Sequence, residues 1–484
     1  MNKIFAALLL VIVFGPSQAQ NRFTIEDVIT RARAQSPASK RTETTKETKY
    51  WQYRTFRAGY NPQLAISGNA PSFNQNFAQI TQPDGTRFFQ PVNQTNSFAN
   101  VGLLQPLRWT GGTISANTNF NFFNDINRNI SSWNGNILNI RLDQPVYAYN
   151  PYKWDRRTEP LRFEESKREF VEQLEFISQN AADLFFQVIK AQIDEQIAQF
   201  NLANNDTIFK IEQGRYNIGT TSQDKLLQVE LQLLKSKQDV AQAKINIQNN
   251  SLLLRIYLGL KDDDSFDLVL PEALPVFNVN LEEALTCARK NRSAYIAFER
   301  RRIEAERDVA RARGSRLNNA TVSASYGLNN TGLAINDLYV SPQQQQQFNL
   351  AFNVPVFNWG RNKATMNTAF ANKKLNDYII AQDEVNSDQE IITQVRQFDL
   401  LRLQIEITKK SDEVARERYN VAQNRYLIGK IDITNLNIAL TEKDNAKRSY
   451  VEALRLFWTS YFNLRRLTLY DFANQRLLYT QDLN

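Results

Sequence analysis

Several short stretches of the chain alternate strictly between apolar and polar residues, which predicts β-strands with two different faces. In each stretch the apolar positions share one face, and asparagine, serine or charged residues share the other. Strands of this kind line a membrane β-barrel, where lipid covers the outside and water fills the inside. A soluble sheet with one wet face alternates in the same way, so the pattern alone leaves both possibilities open. The clearest stretches are 114–123, 137–146, 321–326 and 348–356.

Other regions repeat apolar residues every three or four positions and predict very long helices. Residues 161–215 and 221–258 contain no proline, and a helix of about 50 residues is about 75 Å long. Apolar and small residues step by three and four along 226–254 and again along 436–464, which is typical of a heptad seam. The simplest interpretation is a helical hairpin packed on itself, as in a periplasmic adaptor protein. Two such hairpins together with strands favour a larger assembly.

The chain repeats one plan twice. The segment RYNIG at 215–219 recurs as RYLIG at 425–429, an offset of 210 residues. Nearer the N-terminus the offset is 256, because residues 23–37 match residues 279–293. The two offsets differ by 46, so the first copy carries 46 additional residues in its β region.

The 46 additional residues have strand patterns of their own. QPLRWTGG at 105–112 resembles the strand end QPVYAYN at 144–150, and alternating stretches flank it. We therefore expect an extra hairpin within residues 70–140. This hairpin adds either two strands to the sheet or a loop above it.

The first residues have the features of a secretory signal peptide. Lys3 supplies the positive charge, residues 4–14 form an apolar core, and residues 17–19 form a small-x-small cleavage site. The apolar core is too short to span a bilayer. We predict cleavage after Ala19 and export of the protein from the cytoplasm.

The composition argues against several kinds of chemistry. The chain has no histidine and one cysteine, so the commonest general base and zinc ligand are missing. Cys287 lies in a helical pattern and is interpreted as a small core residue. The carboxylates lie on helix faces and are interpreted as solvated, and the net charge of +8 is spread along the helices. We expect no enzyme, metal site or cofactor, and no nucleic-acid partner.

Three motifs occur in both copies and in the same order. They are an opening helix with acidic residues, a strand that ends in proline and an aromatic residue, and an RYxIG turn before a heptad helix. The ordered, doubled set resembles the TolC-family outer-membrane efflux channels over nearly all of the mature chain. The matching residues are Ile25-Glu26-Asp27 and Leu281-Glu282-Glu283, Gln144-Pro145-Val146-Tyr147 and Val354-Pro355-Val356-Phe357, and Arg215, Tyr216, Gly219, Arg425, Tyr426 and Gly429.

The resemblance implies an α+β membrane protein with the architecture of a trimeric TolC-like channel-tunnel. Three chains together close a β-barrel in the outer membrane, which is continuous with a long periplasmic α-barrel, and each chain holds two internal structural repeats. The expected organisation is a signal peptide at 1–19, a first repeat at 20–260, a linker at 261–278, a second repeat at 279–470 and a C-terminal tail at 471–484.

The function implied by the resemblance is that of the outer-membrane channel of a tripartite efflux pump. Such a channel is a passive, gated exit duct in the outer membrane and periplasm. Its partners are two further copies of the chain, a periplasmic adaptor, an inner-membrane pump and outer-membrane lipid. Two alternatives remain open: the exit duct of a type I protein secretion system, and a coiled-coil structural protein or adhesin without a channel.

The resemblance also places the gate and the adaptor-docking surface at two helical turns, near 215–225 and 425–436. The family's gate links the tyrosine of the second turn to a Thr-Asp pair that follows the first glycine. This implies a link from Tyr426 to Asp224, although Lys225 stands at the family's Asp position. The candidate residues are Arg215, Tyr216, Gly219, Asp224, Lys225, Arg425, Tyr426, Gly429, Asp432 and Asn435.

The two turns are not equivalent in sequence. TTSQDK follows the first glycine and KIDITN follows the second. The aspartate ring of the well-studied family member falls on Asn435 and Ile438, and Asp432 is the nearest carboxylate in this segment. We therefore expect weaker cation selectivity than a ring of aspartates gives.

Overall fold

The computed structural model describes residues 21–146, 148–261, 266–271, 273–316, 319–354 and 356–479. The predicted signal peptide, Tyr147, Pro355 and the end of the predicted tail lie outside these ranges. The chain forms two compact units. Among the described residues, the helical unit falls within 21–45, 168–292 and 387–479, and the sheet unit falls within 46–167 and 293–386.

Pairs of helices alternate with groups of strands along the described chain. In chain order the elements are β1 (Asn21–Phe23), α1 (Ile25–Gln35), α2 (Pro37–Ala58), β2 (Gln63–Thr81), β3 (Arg87–Pro106), β4 (Thr113–Asp125), β5 (Ile130–Val146), α3 (Pro151–Asn217), α4 (Gln223–Leu258), β6 (Phe266–Leu268), α5 (Leu281–Asn291), α6 (Ser293–Arg316), β7 (Asn319–Gly332), β8 (Gln343–Asn353), α7 (Arg361–Leu427), α8 (Ile433–Thr468), β9 (Tyr470–Asp471) and β10 (Arg476–Leu477).

Helices of equal length recur at the offsets found in the sequence. α1 and α5 have 11 residues each, α3 and α7 have 67 each, and α4 and α8 have 36 each. The third helix begins at Pro151, earlier than the expected start near residue 161, and contains Pro160. An internal proline removes one backbone hydrogen bond. In a helix of this length the remaining bonds continue on both sides.

The sheet unit holds a six-stranded sheet in the order β2-β3-β4-β5-β7-β8, in which every neighbouring pair is antiparallel. Pro106 faces Thr113 across one pair, and Asn319 faces Asn353 across another. The first copy contributes four of these strands and the second copy two. The surplus residues of the first copy therefore extend the same sheet as strands rather than forming a separate loop.

The strands present the two faces that the alternating pattern predicts. On one face Asn117 Nδ2 donates to Asn100 Oδ1 at 3.2 Å, and amide contacts of this kind link neighbouring strands. On the other face the rings of Phe122 and Trp133 lie 4.8 Å apart. On outer strand β8 the side chain of Phe348 is 73% exposed. The apolar face is thus largely uncovered in the single chain.

The core of the helical unit forms where short helices pack on the long ones. Val28 and Ala32 of α1 are buried together with Phe185 of α3, Leu254 of α4 and Phe457 of α8. β1 pairs in parallel with β6, which lies inside the predicted linker. The predicted linker therefore contains a strand, and this strand pairs with the first described residues of the chain.

A buried ion network joins four elements of the helical unit. Arg465 donates to Glu175 and to Asp471, each at 3.1 Å. Tyr461 donates to Asp471 at 3.0 Å, and Arg33 donates to Glu175 at 2.7 Å. Glu175 is 2% exposed and Asp471 is completely buried. From the sequence, isolated carboxylates are interpreted as solvated; Glu175 and Asp471 are buried instead, because paired charges can be buried where an isolated charge cannot.

Cys287 is half-buried, not a core residue. Ala284 and Ala288 lie one helical turn apart on the buried face of α5. Cys287 precedes Ala288 by one position and therefore points to the side of that face. Burial raises the pKa of its thiol, and the nearby Glu283 raises it further.

Candidate functional site at the two helical turns

The structure places the two turns at residues 218–222 and 428–432, inside the predicted segments near 215–225 and 425–436, and both turns have the same backbone geometry. The N–H of Gly219 donates to the carbonyl of the preceding tyrosine at 3.0 Å, and the N–H of Gly429 does the same at 2.9 Å. Their φ angles are +73° and +71°, which residues with a side chain rarely adopt. Glycine therefore allows the chain to reverse between two long helices at both places.

The tyrosines beside the two glycines have opposite environments. Tyr216 is 41% exposed, whereas Tyr426 is 3% exposed. Tyr426 packs in an apolar cluster with Ile208, Ile433 and Leu436. Its hydroxyl group donates to Glu212 Oε1 at 2.6 Å. The shared RYxIG motif thus has different roles in the two copies.

Glu212 is the centre of a polar cluster that joins the two turns. Its Oε1 accepts from Tyr426 and also from Arg215 Nη1, the latter at 2.7 Å. The guanidinium of Arg215 lies 5.5 Å from the ring centroid of Tyr426, and its Nη2 donates to the Leu427 carbonyl at 3.4 Å. We call Glu212, Arg215 and Tyr426 the tip latch, because they link the end of α3 to the end of α7.

The protonation states of the tip latch follow from burial and hydrogen bonding. Burial alone would raise the pKa of Glu212, but the hydrogen bonds from Tyr426 and Arg215 outweigh burial and leave this pKa below its ordinary value. Burial raises the pKa of Tyr426 strongly, and the hydrogen bond to Glu212 raises it further. At neutral pH the ionised carboxylate of Glu212 therefore accepts a hydrogen bond from the neutral phenol of Tyr426, and this bond is charge-assisted.

The helices that follow the turns begin differently. Asp432 caps α8, because its carboxylate accepts from the backbone N–H of Asn435 at 2.9 Å and from the amide of the same residue at 2.8 Å. Ser222 occupies the corresponding position before α4 and makes no side-chain cap. A side-chain cap contributes about 1 kcal/mol to helix stability. The start of α8 is therefore more strongly stabilised by its cap than the start of α4.

Residues of both turns border a shared polar cavity of about 430 Å³. Glu212 and Arg215 line it from α3, and Lys225, Asp432 and Tyr426 line it from the other elements. A cavity with charged groups of both signs can take up water. Water there would compete with the hydrogen bonds of the tip latch.

The structure brings together part of the predicted residue set. Arg215, Tyr426, Lys225, Gly429 and Asp432 border the cavity. The remaining predicted side chains lie on the exposed surface of the turns; they are Tyr216, Asp224, Arg425 and Asn435.

The acceptor of the Tyr426 hydroxyl differs from the expected one. The resemblance implied Asp224, which lies exposed in the first turn of α4. The acceptor is Glu212, because this residue is buried on α3 and faces α7 directly.

Sequence reasoning missed Glu212, although a signal for it exists. Glu212 precedes Arg215 by three residues, a spacing that places both on one face of a helix. At the offset of 210 it corresponds to Ala422. Glu212 is thus one of several charged residues near the turns that occur in only one copy, and the comparison of the copies marks it as a candidate.

Two kinds of feature, a metal-binding cluster and a membrane-spanning helix, are not found in the part of the chain that the structure describes. No group of three or more acidic or cysteine side chains in these ranges is placed to hold a metal ion. In the same ranges no helix combines the length and apolar character needed to cross a bilayer.

A family comparison supports the resemblance inferred from the doubled motifs. Residues 285–468 match the family model described as outer membrane efflux protein. The match confirms the predicted resemblance and agrees with the predicted outer-membrane location. No curated protein sequence matches the chain.

Solved structures with the same fold are outer-membrane channels. The CmeC outer membrane channel of Campylobacter jejuni superposes with a TM-score of 0.66 at 16% identity, over 92% of this chain and 85% of that one. VceC of Vibrio cholerae gives 0.65 at 15% identity, over 92% and 95%. The open-state MtrE channel of Neisseria gonorrhoeae gives 0.53 at 16% identity, over 94% and 91%. The likeness shows that the chain has the helix-rich fold of these channels, with its sheet.

Proposed function

We propose that this outer-membrane protein, which resembles efflux proteins over residues 285–468, is the exit duct of a tripartite efflux pump. The duct carries substrates passively across the outer membrane from an inner-membrane transporter and a periplasmic adaptor. One observation carries the proposal: the sheet of a single chain ends in two outer strands and exposes an apolar face.

The outer strands are the reason for proposing a homotrimer. Within the described residues β2 pairs only with β3, and β8 pairs only with β7. Open sheet edges are unstable in lipid, and copies of one chain usually close such edges by cyclic symmetry. Six strands from each of three chains make an eighteen-stranded barrel. Barrels of about 16–18 strands leave an aqueous channel.

We assign the two structural repeats to residues 20–260 and 279–470, joined by the linker at 261–278 and followed by the tail at 471–484. The equal lengths of the paired helices support this division. The extra hairpin within residues 70–140 widens the sheet of the first repeat.

The two turns supply the gate and the adaptor-docking surface in this proposal. The tip latch holds the ends of α3 and α7 together and so keeps the periplasmic mouth closed. Ile218 is 75% exposed and Ile428 is 66% exposed, so each turn presents one apolar side chain. Exposed apolar side chains of this kind suit contact with a partner protein.

The test is conductance in a planar bilayer together with a native gel of the purified outer-membrane fraction. We expect a homotrimer that needs detergent and conducts ions in discrete steps. A water-soluble monomer without conductance would remove the channel proposal and favour the coiled-coil structural protein.

A further inference from the structure

A cationic surface follows the ends of the helices that adjoin the sheet. Its members are exposed, and none forms an ion pair with a carboxylate in the described ranges. Residues 48–62 and 309–316 contain no aspartate or glutamate, nor do residues 354–364. We call this surface the basic belt; it comprises Arg54, Arg57, Arg156, Arg313, Arg361 and Lys363.

Contacts between the connecting segments place the members of the belt at one end of the sheet. Arg108 in the β3–β4 turn donates to the Tyr60 carbonyl at 3.3 Å, next to the end of α2. The Tyr60 hydroxyl donates to the Tyr152 carbonyl in the first turn of α3 at 3.2 Å. The guanidinium of Arg311 lies 5.2 Å from the ring centroid of Tyr149 and so links α6 to the start of α3.

The other end of the sheet has no such excess of positive charge. Its three connections span residues 82–86, 126–129 and 333–342, and their charged residues are Asp84, Arg128 and Asp337. The charge asymmetry is therefore a property of the helix-adjoining end, not of the sheet as a whole.

Helix stability accounts for belt members at the C-terminal ends of α2 and α6, such as Arg57, but not for Arg361 and Lys363. Arg361 and Lys363 lie in the first turn of α7, and the first turns of α3 and α7 contain no acidic residue. A positive charge near a helix N-terminus is unfavourable, because that end of the macrodipole is itself positive. These residues raise the local positive potential at a cost in helix stability, which points to an anionic binding partner.

Exposed tryptophans accompany the cations. Trp109 is 88% exposed and Trp359 is 89% exposed. Trp359 also has a φ of +52°, a left-handed conformation that is rare for a residue with a large side chain. Tryptophan is enriched at the level of lipid headgroups in membrane proteins. The belt and the tryptophans together fit the surface of a bilayer.

We infer that the basic belt binds the headgroups of anionic phospholipids in the leaflet that faces the helices. The inference rests on the proposed function, in which the sheet spans the membrane. Arginine suits this role because its guanidinium contacts a phosphate through two parallel hydrogen bonds. Each cation near an anionic bilayer surface strengthens binding to that surface about fivefold.

The experiment uses the full-length protein in mixed micelles that contain equal amounts of phosphatidylglycerol and phosphatidylethanolamine. Native mass spectrometry counts the lipids that remain on the assembly. The variant Arg313→Gln/Arg361→Gln/Lys363→Gln should lose at least about fivefold of the preference for phosphatidylglycerol. Arg87→Gln/Arg128→Gln, at the opposite end of the sheet, should keep the preference. Arg313→Lys/Arg361→Lys keeps the charge but loses the two parallel hydrogen bonds, so it should lose less of the preference than the triple glutamine variant.

The outcomes separate this inference from the proposed function. Absence of a trimer and of conductance in the unmodified protein would argue against the channel itself. A conducting triple variant with unchanged lipid preference would overturn the belt alone. Inorganic phosphate that displaces the bound phosphatidylglycerol as effectively as added phosphatidylglycerol would also overturn it, because the site would then be a simple anion site.

Discussion

At the scale of single residues, the tip latch depends on one carboxylate that the second copy lacks. Glu212→Gln keeps the shape of the side chain but removes the charge that binds Arg215 and Tyr426. Charge-assisted hydrogen bonds contribute about 1.5–3 kcal/mol each. We expect the ratio of open to closed channels in planar bilayers to rise at least about tenfold. Tyr216→Phe is the matched control, because Tyr216 is exposed and lies outside the latch; an equal rise in this control would show a general loosening of the turn.

The same carboxylate predicts a dependence of gating on pH. The pKa of Glu212 is lowered in the closed turn, so the closed state binds its proton less tightly than an open state in which the latch is broken. Its contribution to closure is complete above the ordinary glutamate pKa of about 4.3 and is lost as pH falls through the lowered value. We expect conductance to increase below about pH 4.3 in the unmodified protein. A pH response of the same size in Glu212→Gln would assign it to other groups.

Two glycines five residues apart give a test of the turn itself. A Cβ added at Gly214 or at Gly219 meets no atom within 4 Å, so packing does not distinguish the two sites. Gly219 has a φ of +73°, whereas Gly214 lies within α3. Gly219→Ala should lower the free energy of unfolding by about 1–2 kcal/mol, and Gly214→Ala should raise it by about 0.5–1 kcal/mol. Thermal unfolding of both variants measures the difference, and equal shifts would contradict a conformational role for Gly219.

The residues of the site differ in how far sequence could predict them. The position of each turn is local information, because a glycine after RYxI ends a helix in both copies. The burial of Tyr426 is not local, because it depends on which side of α7 faces α3. Glu212 could be predicted only in part, since the helix-face pattern gives its neighbour Arg215 but not its partner on another helix.

At the scale of the elements, the buried network of Arg465 sets how α8 packs on α3. Glu175 and Asp471 are buried, and Arg465 donates to both. Arg465→Met leaves both carboxylates without this partner, and removing one member of a buried pair costs about 3–5 kcal/mol. The free energy of unfolding in urea should fall by this amount. Lys210→Met is the matched control, because its ion pair with Asp206 is exposed and such a pair contributes about 0.3–0.5 kcal/mol. Equal losses in the two variants would mean that the network contributes no more than a surface pair.

The sequence predicted which segments form helices or strands better than it predicted where these elements begin or which of their residues are buried. The two-residue and heptad patterns predict strands and long helices, and the structure has both kinds of element in these regions. Pro160 misled the prediction of where α3 begins, because a single missing hydrogen bond does not end a helix that packs along its length. The burial of Glu175 and Asp471 follows from pairing between distant segments, which the periodicity of one helix does not contain.

At the scale of the whole molecule, the difference between the two offsets predicted that the first β region contains additional residues. It did not predict whether these residues form strands or a loop. The structure places them in two more strands of the same sheet, β3 and β4, which pair with each other and with β2 and β5 on either side. Pairing of this kind depends on contacts between strands, so the choice between strands and a loop needed the structure. The additional strands also make the number of strands in the assembly a testable quantity.

Closure of the sheet between chains can be tested by cross-linking β2 of one chain to β8 of the next. Ser67 lies on the polar face of β2, because its hydroxyl accepts from the amide of Asn100 at 3.5 Å. Through the strand register this face continues to the odd-numbered residues of β8, such as Gln345 and Gln347. In a Cys287→Ser background, Ser67→Cys should therefore form disulfides with cysteines at odd positions of β8 and not with those at even positions.

The difference between odd and even positions of β8 distinguishes paired strands from strands that meet at random. A disulfide needs Cα atoms about 4.4–6.8 Å apart and Cβ atoms that point towards each other. Neighbouring residues of a strand point to opposite faces, so only every second position meets this condition when the two strands pair. Oxidised samples on a denaturing gel should show linked dimers and trimers for odd positions only. Cross-links at odd and even positions alike would mean collisions of unpaired strands, and cross-links confined to single chains would argue that the sheet closes on itself and not through a trimer.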